Sequence, residues 1–276
     1  MTAPTTKIFT VGLNAARIYD LNDTTGYLGA TTLAAYDGIS VGGPVVFSYE
    51  PADPQSIVHP GNNTILQRDV LPSQDVASGS LEVSRTDQTT IALLNNLKVR
   101  TVGEANQLLW GTNQAGTEPS VALVVYAQGK LPSGLRGWST YVLPKCVIIP
   151  KPKGMSREQQ NMKYFVQPQN ASANITGEAF TAADDGATSA EVVEYQSNYR
   201  MHFTAWSTTT SSAVFTLGSS FPMVSTAGLV MFVDGSKQLT SAYTATTGAI
   251  TFSPNVGGSK NVTALYELAD SVIDID

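Results

Sequence analysis

The chain has 276 residues, 42% hydrophobic and 14% charged, with a net charge of −6. That length suits one larger domain plus a smaller one, and the acidic balance works against non-specific grip on a phosphate backbone. With one cysteine, Cys146, an intrachain disulfide is excluded, and with His59 and His202 as its only histidines no zinc site of the usual ligand spacing can be written.

Residues 7–21, KIFTVGLNAARIYDL, carry apolar side chains at strand spacing with a kink at Gly12, which predicts two strands or one bent strand. Residues 27–36 are followed by Asp37-Gly38 and then PVVFSYE at 44–50, and Asp-Gly between apolar runs signals a hairpin. Residues 51–75 hold Pro51, Pro54, Pro60 and Pro72 around a Gly61-Asn62-Asn63 turn and read as one long loop. Within it TILQRDVL, 64–71, forms a short strand or arm, and loops of such length tend to be functional. In 79–99 the alternation at Leu81 and Val83 gives way to helical spacing at Ile91, Leu94 and Leu97, behind an N-cap oxygen from Thr86 or Asp87. One short amphipathic helix beside sheets reads as a lid on a core.

VALVVYAQ at 121–128, WSTYVLPKCVIIP at 138–150 and MKYFVQPQNA at 162–171 are strong strand candidates. Lys145, Lys151, Lys153, Arg157 and Lys163 make the stretch around them locally basic, as a solvated loop or as a contact for an acidic face of a neighbouring subunit. EVVEYQSNYRMHFTAW, 191–206, is the last extended segment of the first domain. STTTSS, 207–212, has no apolar residue and reads as a linker. Beyond it short β segments recur between Asp234-Gly235, Thr247-Gly248 and Gly257-Gly258, the spacing of a small all-β module. The expected architecture is mainly β: a domain at 1–206 with one flanking helix, a linker at 207–212 and a small β domain at 213–276.

Enzyme chemistry lacks its signatures. There is no phosphate-cradling G-x-x-x-x-G-K-S/T, no G-x-G-x-x-G and no G-x-S-x-G elbow. Asp184-Asp185 lies among Gly, Ala and Ser and reads as a solvated turn, Cys146 as an inert buried thiol, and both histidines as structural hydrogen-bonding residues. Trp110, Trp138 and Trp206 are too scattered to stack bases. The start of the sequence has no leader pattern and no apolar run reaches bilayer length, so a cytoplasmically made protein without a membrane partner is expected. No catalytic, cofactor-binding or metal site is expected.

The segments GSLEVSRTDQTTIALLNNL, WSTYVLPKCVIIPKPKG and MKYFVQPQNASANITGEAF give the order of strand, single helix and long strands in which residues 1–206 resemble the major tail tube proteins of long-tailed phages. GLVMFVDGSKQL, AYTATTG, AITFSPN and NVTALYE resemble the small β domains appended to phage tail and fibre proteins. The resemblance implies a β-sandwich or barrel subunit that assembles into stacked hexameric rings, a virion location, and viral DNA passing through the lumen without specific binding. Other tail proteins are the further partners it implies, and no cofactor. The appended domain would project from the tube exterior. Candidate intersubunit contacts are then Pro51, Pro54, His59, Pro60, Gln67, Arg68 and Asp69 in the long loop, with Lys151, Lys153 and Arg157 in the basic stretch. Other virion parts remain alternatives: a head decoration protein, a tail terminator or the tube of a contractile system. A carbohydrate-binding tail protein is a further one, with Tyr243, Phe252 and Tyr266 as its aromatic residues.

Overall fold

The computed structural model describes residues 9–22, 25–50, 55–61, 64–71, 77–84, 88–94, 99–102, 105–108, 119–130, 136–150, 162–183 and 186–269. The chain is mainly β with one α-helix among these residues. The first unit runs β1 (Phe9–Asp20), β2 (Ile39–Val41), β3 (Pro44–Glu50), β4 (Gln55–Gly61), β5 (Thr64–Leu71), β6 (Ser78–Val83), α1 (Gln88–Leu94), β7 (Val99–Val102), β8 (Ala105–Leu108), β9 (Val121–Lys130), β10 (Arg136–Pro150), β11 (Met162–Pro168) and β12 (Val193–Ser197). The second runs β13 (Arg200–Thr208), β14 (Ser212–Thr216), β15 (Val230–Val233), β16 (Ser236–Lys237), β17 (Tyr243–Ala245), β18 (Ala249–Val256) and β19 (Lys260–Leu268).

β1 is a single strand, bent by register shifts between Thr10 and Gly12 and between Leu13 and Ala15. Each shift places an unpaired residue in the ladder and increases the local twist. The main sheet has the order β2-β1-β9-β10-β11-β6-β3, antiparallel at each step, with β12 pairing the first half of β10. β2 and β3 sit at opposite ends of that order, yet only Gly42-Gly43 separates them in the chain. The sheet therefore curls, and β1 comes near β3 without a ladder between them among the described residues. Gly43 makes the crossing: its φ is 54°, a left-handed value that favours glycine, and its carbonyl accepts from the Ser84 N–H at 2.9 Å.

The two faces of the curled sheet bury different cores. Ala16, Ile18, Leu81, Val83, Leu123, Val125, Leu143, Tyr164 and Val166 fill the inside, closed by Leu94 of α1, as the lid reading expects. Ala15, Tyr19, Ala122, Val124, Tyr126, Trp138 and Val142 fill the outside and pack against Phe203, Ala205, Phe232 and Leu265 of the second unit. Residues 121–127 of β9 are buried on both faces, so the residues between Val121, Leu123 and Val125 are apolar as well. In the second unit, sheet β13-β19-β15-β16 and sheet β14-β18-β17 enclose Trp206, Phe215, Met231, Ile250, Phe252, Val262 and Tyr266.

Several elements differ from the sequence expectation. Residues 51–75 are not one open loop, because β4 and β5 form an antiparallel hairpin, and Pro60 falls at a register shift, where sheets tolerate proline. The Asp37-Gly38 turn does not join two paired strands: β2 pairs with β1, and β3 pairs with β6. The segment 191–206 splits in two, β12 going to β10 and β13 to β19. β13 pairs with β19 over its whole length, from Arg200↔Leu268 to Thr208↔Lys260, so the boundary expected at 206 falls inside a strand of the second unit's sheet. Ser207 and Thr208 of the expected linker complete that strand. The β7–β8 hairpin had no sequence signal strong enough to predict it.

Candidate assembly surface and the buried junction behind it

The candidate contact residues distribute between two places. His59 and Pro60 lie on β4, and Gln67, Arg68 and Asp69 on β5, where the register pairs His59 with Gln67, Val58 with Arg68 and Ile57 with Asp69. The hairpin brings these five together. Pro51, Pro54, Lys151, Lys153 and Arg157 lie outside the described residues, as do Asp184 and Asp185. Lys163 is exposed on β11 with Glu82 at 3.4 Å.

β4 and β5 form a sheet of their own and join no other described sheet. In chain order they lie between β3 and β6, the last two strands at one end of the main sheet. Ahead of Ala16, β1 has no described ladder partner on its β2 side, and β3 has none on the side away from β6. A mainly apolar groove of about 700 Å³ opens in that region, lined by Leu13, Val46, Phe47, Tyr141 and Val192 with Glu194 at its edge. Tyr49 spans one flank by donating to Glu191 Oε2 at 2.7 Å, and burial together with that carboxylate pushes its phenol up to about 12.

Behind this surface, a polar cluster joins the two units. Asp37 sits between β1 and β13: the Arg17 Nε–H donates to its backbone carbonyl at 2.7 Å, and Arg17 Nη2 donates to the Gly38 carbonyl at 3.1 Å. Its carboxylate accepts from His202 Nε2 at 3.1 Å and from the Thr204 hydroxyl. The other ring nitrogen, Nδ1, lies 3.4 Å from the Tyr126 hydroxyl, and the imidazole stacks on Phe221 at 4.6 Å. The Arg17 guanidinium covers Phe221 as well, at 4.5 Å. Burial alone would raise the Asp37 carboxyl; the His202 bond and charge, the Thr204 bond and the Arg17 charge outweigh it and hold the pKa below the usual range.

An Asp–His–Tyr arrangement is a proton-relay geometry, but here its imidazole is closed to solvent. His202 is 0% exposed, both ring nitrogens are occupied and one ring face is stacked. It holds the junction, as the hydrogen-bonding reading of His202 expects. The cluster is also a minor part of that junction. The apolar residues shared between the units include Tyr19, Tyr126, Trp138, Phe203 and Phe232, and a buried side chain of this size contributes about 1.5–3 kcal/mol. Backbone pairing adds to this, since Tyr36 and Ala205 exchange N–H···O bonds at 2.9 and 3.0 Å and the Ser207 N–H donates to the Thr32 carbonyl at 2.8 Å. Gly177 and Gly235, with φ of 84° and 76°, meet backbone to backbone, and a Cβ on Gly235 would collide with the Gly177 carbonyl.

Other sequence readings find their places. Cys146 is buried, its thiol donates to the Val121 carbonyl at 3.4 Å, and burial pushes its pKa up. Tyr243 and Phe252 are cross-strand partners with rings 5.6 Å apart, and Tyr266 is fully buried, so these aromatic residues belong to the module core and not to a sugar-contacting surface. Among the described residues no group of three or more His, Cys, Asp or Glu is placed to hold a metal ion, and no helix is long and apolar enough to cross a membrane. The Arg17–Asp37 side of the junction was missed by sequence reasoning, for Asp37 carried only a turn signal. No protein-family model and no curated protein sequence matches the chain.

Proposed function

We propose that the chain is the structural subunit of a phage tail tube, forming stacked hexameric rings around a lumen through which viral DNA passes without specific binding. One observation carries this reading: the β4–β5 hairpin pairs with itself and with no other described strand, and β1 and β3 have edges with no described ladder partner, next to an apolar groove. Open edges in a lone chain are sites for pairing with another chain. A heterologous contact of this kind closes into a ring when the rotation between copies allows it. His59, Pro60, Gln67, Arg68 and Asp69 are then intersubunit contacts on the hairpin, and Pro51, Pro54, Lys151, Lys153 and Arg157 keep the same role from sequence. The low charge supports the reading in a second way, because cationic contacts would hold DNA by counterion release and a net charge of −6 offers little of that grip. The second unit covers the outer face of β9 and β10, which fits a module carried on the tube exterior. Quantitative mass spectrometry of purified virions tests the assignment. Many copies per particle are expected, and a single ring's worth would move the chain to a terminator or adaptor role.

A further inference from the structure

A second opening, of about 630 Å³, lies on the seam between the units and differs in chemistry from the apolar groove. Thr25 and Tyr27 line it from the loop after β1, Thr209 from the end of β13, Asp234 from the β15–β16 turn, and Ser259 and Lys260 from the turn into β19. Its walls are fixed to each other. The Tyr27 hydroxyl donates to the Asp234 carbonyl at 3.4 Å, and Asn261 Nδ2 donates to the Leu28 carbonyl at 3.0 Å. The described non-glycine residues with left-handed φ are Asp234 at 47° and Ser259 at 58°, and both line this cleft. A left-handed L-residue is sterically costly, and such positions concentrate where ligands bind.

The Asp234 position has a structural reason, since its carboxylate accepts from the Asn261 N–H at 2.9 Å and from Lys260 Nζ at 2.7 Å. Ser259 anchors its backbone by donating to the Thr208 carbonyl at 2.6 Å, but its hydroxyl bonds to no described residue and is exposed in the cleft. The chemistry of the lining selects the ligand class. Lys260 is already paired with Asp234, so the described lining offers a phosphate or carboxylate no uncommitted cation. Hydroxyls from Thr25, Thr209 and Ser259 can both donate and accept, and the Tyr27 ring gives one apolar surface. We propose that this cleft binds a neutral saccharide: sugar hydroxyls match the hydroxyl lining, and a sugar's C–H face matches the tyrosine ring. Its size falls within the range of small-molecule sites, about 300–1,000 Å³. This inference does not rest on the tube reading.

The test is NMR titration of the full chain with maltose, lactose and chitobiose, with sialyllactose and inorganic phosphate as charged probes. At least one neutral disaccharide should saturate, with shifts confined to the cleft residues. Ser259→Gly and Thr209→Val change exposed side chains and leave both cores intact, so each should weaken that sugar about tenfold with no loss of melting temperature. No saturable neutral sugar, binding undiminished in both variants, or saturation by the charged probes alone would overturn the proposal.

Discussion

At the residue scale, Asp37 provides the anion that faces Arg17 and His202 inside the junction. Asp37→Asn removes the negative charge that accepts from His202 and Thr204, and losing hydrogen bonds to a charged group costs about 1.5–3 kcal/mol. Urea unfolding at neutral pH should register a loss of that order. The pH dependence follows from the directions of the shifts. The Asp37 pKa is lowered on folding, so its contribution is complete above the ordinary carboxylate value and is lost as pH falls through the lowered one, below about pH 4. Burial raises the Tyr19 and Tyr266 phenols, so their contribution is complete below the ordinary value of about 10 and is lost as pH rises beyond it. Unfolding curves from acid to alkaline pH should show both limbs in the parent chain and a flattened acid limb in Asp37→Asn. Gly235→Ala is a second residue-scale probe. It sets a Cβ against the Gly177 carbonyl at a left-handed φ, and calorimetry should find a loss of about 2 kcal/mol or more.

At the element scale, the hairpin and β13 make opposite predictions. Replacing residues 55–71 by a short turn removes two strands that pair with each other and with no other described strand, so the thermal transition of the remainder should persist while self-assembly is lost. Loss of cooperative melting together with assembly would place the hairpin in the core instead. A chain ending at residue 206 cuts β13 and deletes its partner β19, uncovering Phe203, Ala205 and Trp206. It should aggregate or melt without cooperativity, whereas a free-standing first domain would give one sharp transition. These two elements also mark the limit of what the sequence makes legible. Strong apolar strands such as 121–128, the helix from its apolar spacing and the punctuated C-terminal strands could be read locally, while the N-cap candidates Thr86 and Asp87 lie outside the described residues. The partner of β13 could not, because STTTSS looks like a tether from composition alone while β19, some fifty residues later, supplies the hydrogen bonds that order its first two residues. Pro60 misled in the same way, since a proline argues against a strand until the register shift beside it is known.

At the scale of the molecule, mainly β architecture with one helix was legible from composition and periodicity, but the curl of the sheet was not. It depends on Gly42-Gly43 carrying the chain from one end of the sheet to the other, and two adjacent glycines signal a turn without saying what it connects. The candidate assembly surface was half legible: the proline-rich stretch drew attention to residues 51–75, and the hairpin then places His59, Pro60, Gln67, Arg68 and Asp69 on one two-stranded element. The apolar groove draws on β1, β3 and β10, elements far apart in sequence, and so left no local pattern. The central claim is that this hairpin and these open edges are completed by other copies of the same chain. Electron microscopy of the purified protein, at concentrations raised until sedimentation velocity reports a single limiting species, tests that claim most directly. Six-membered rings or stacked tubes are the predicted result, and a chain that remains monomeric throughout would contradict it.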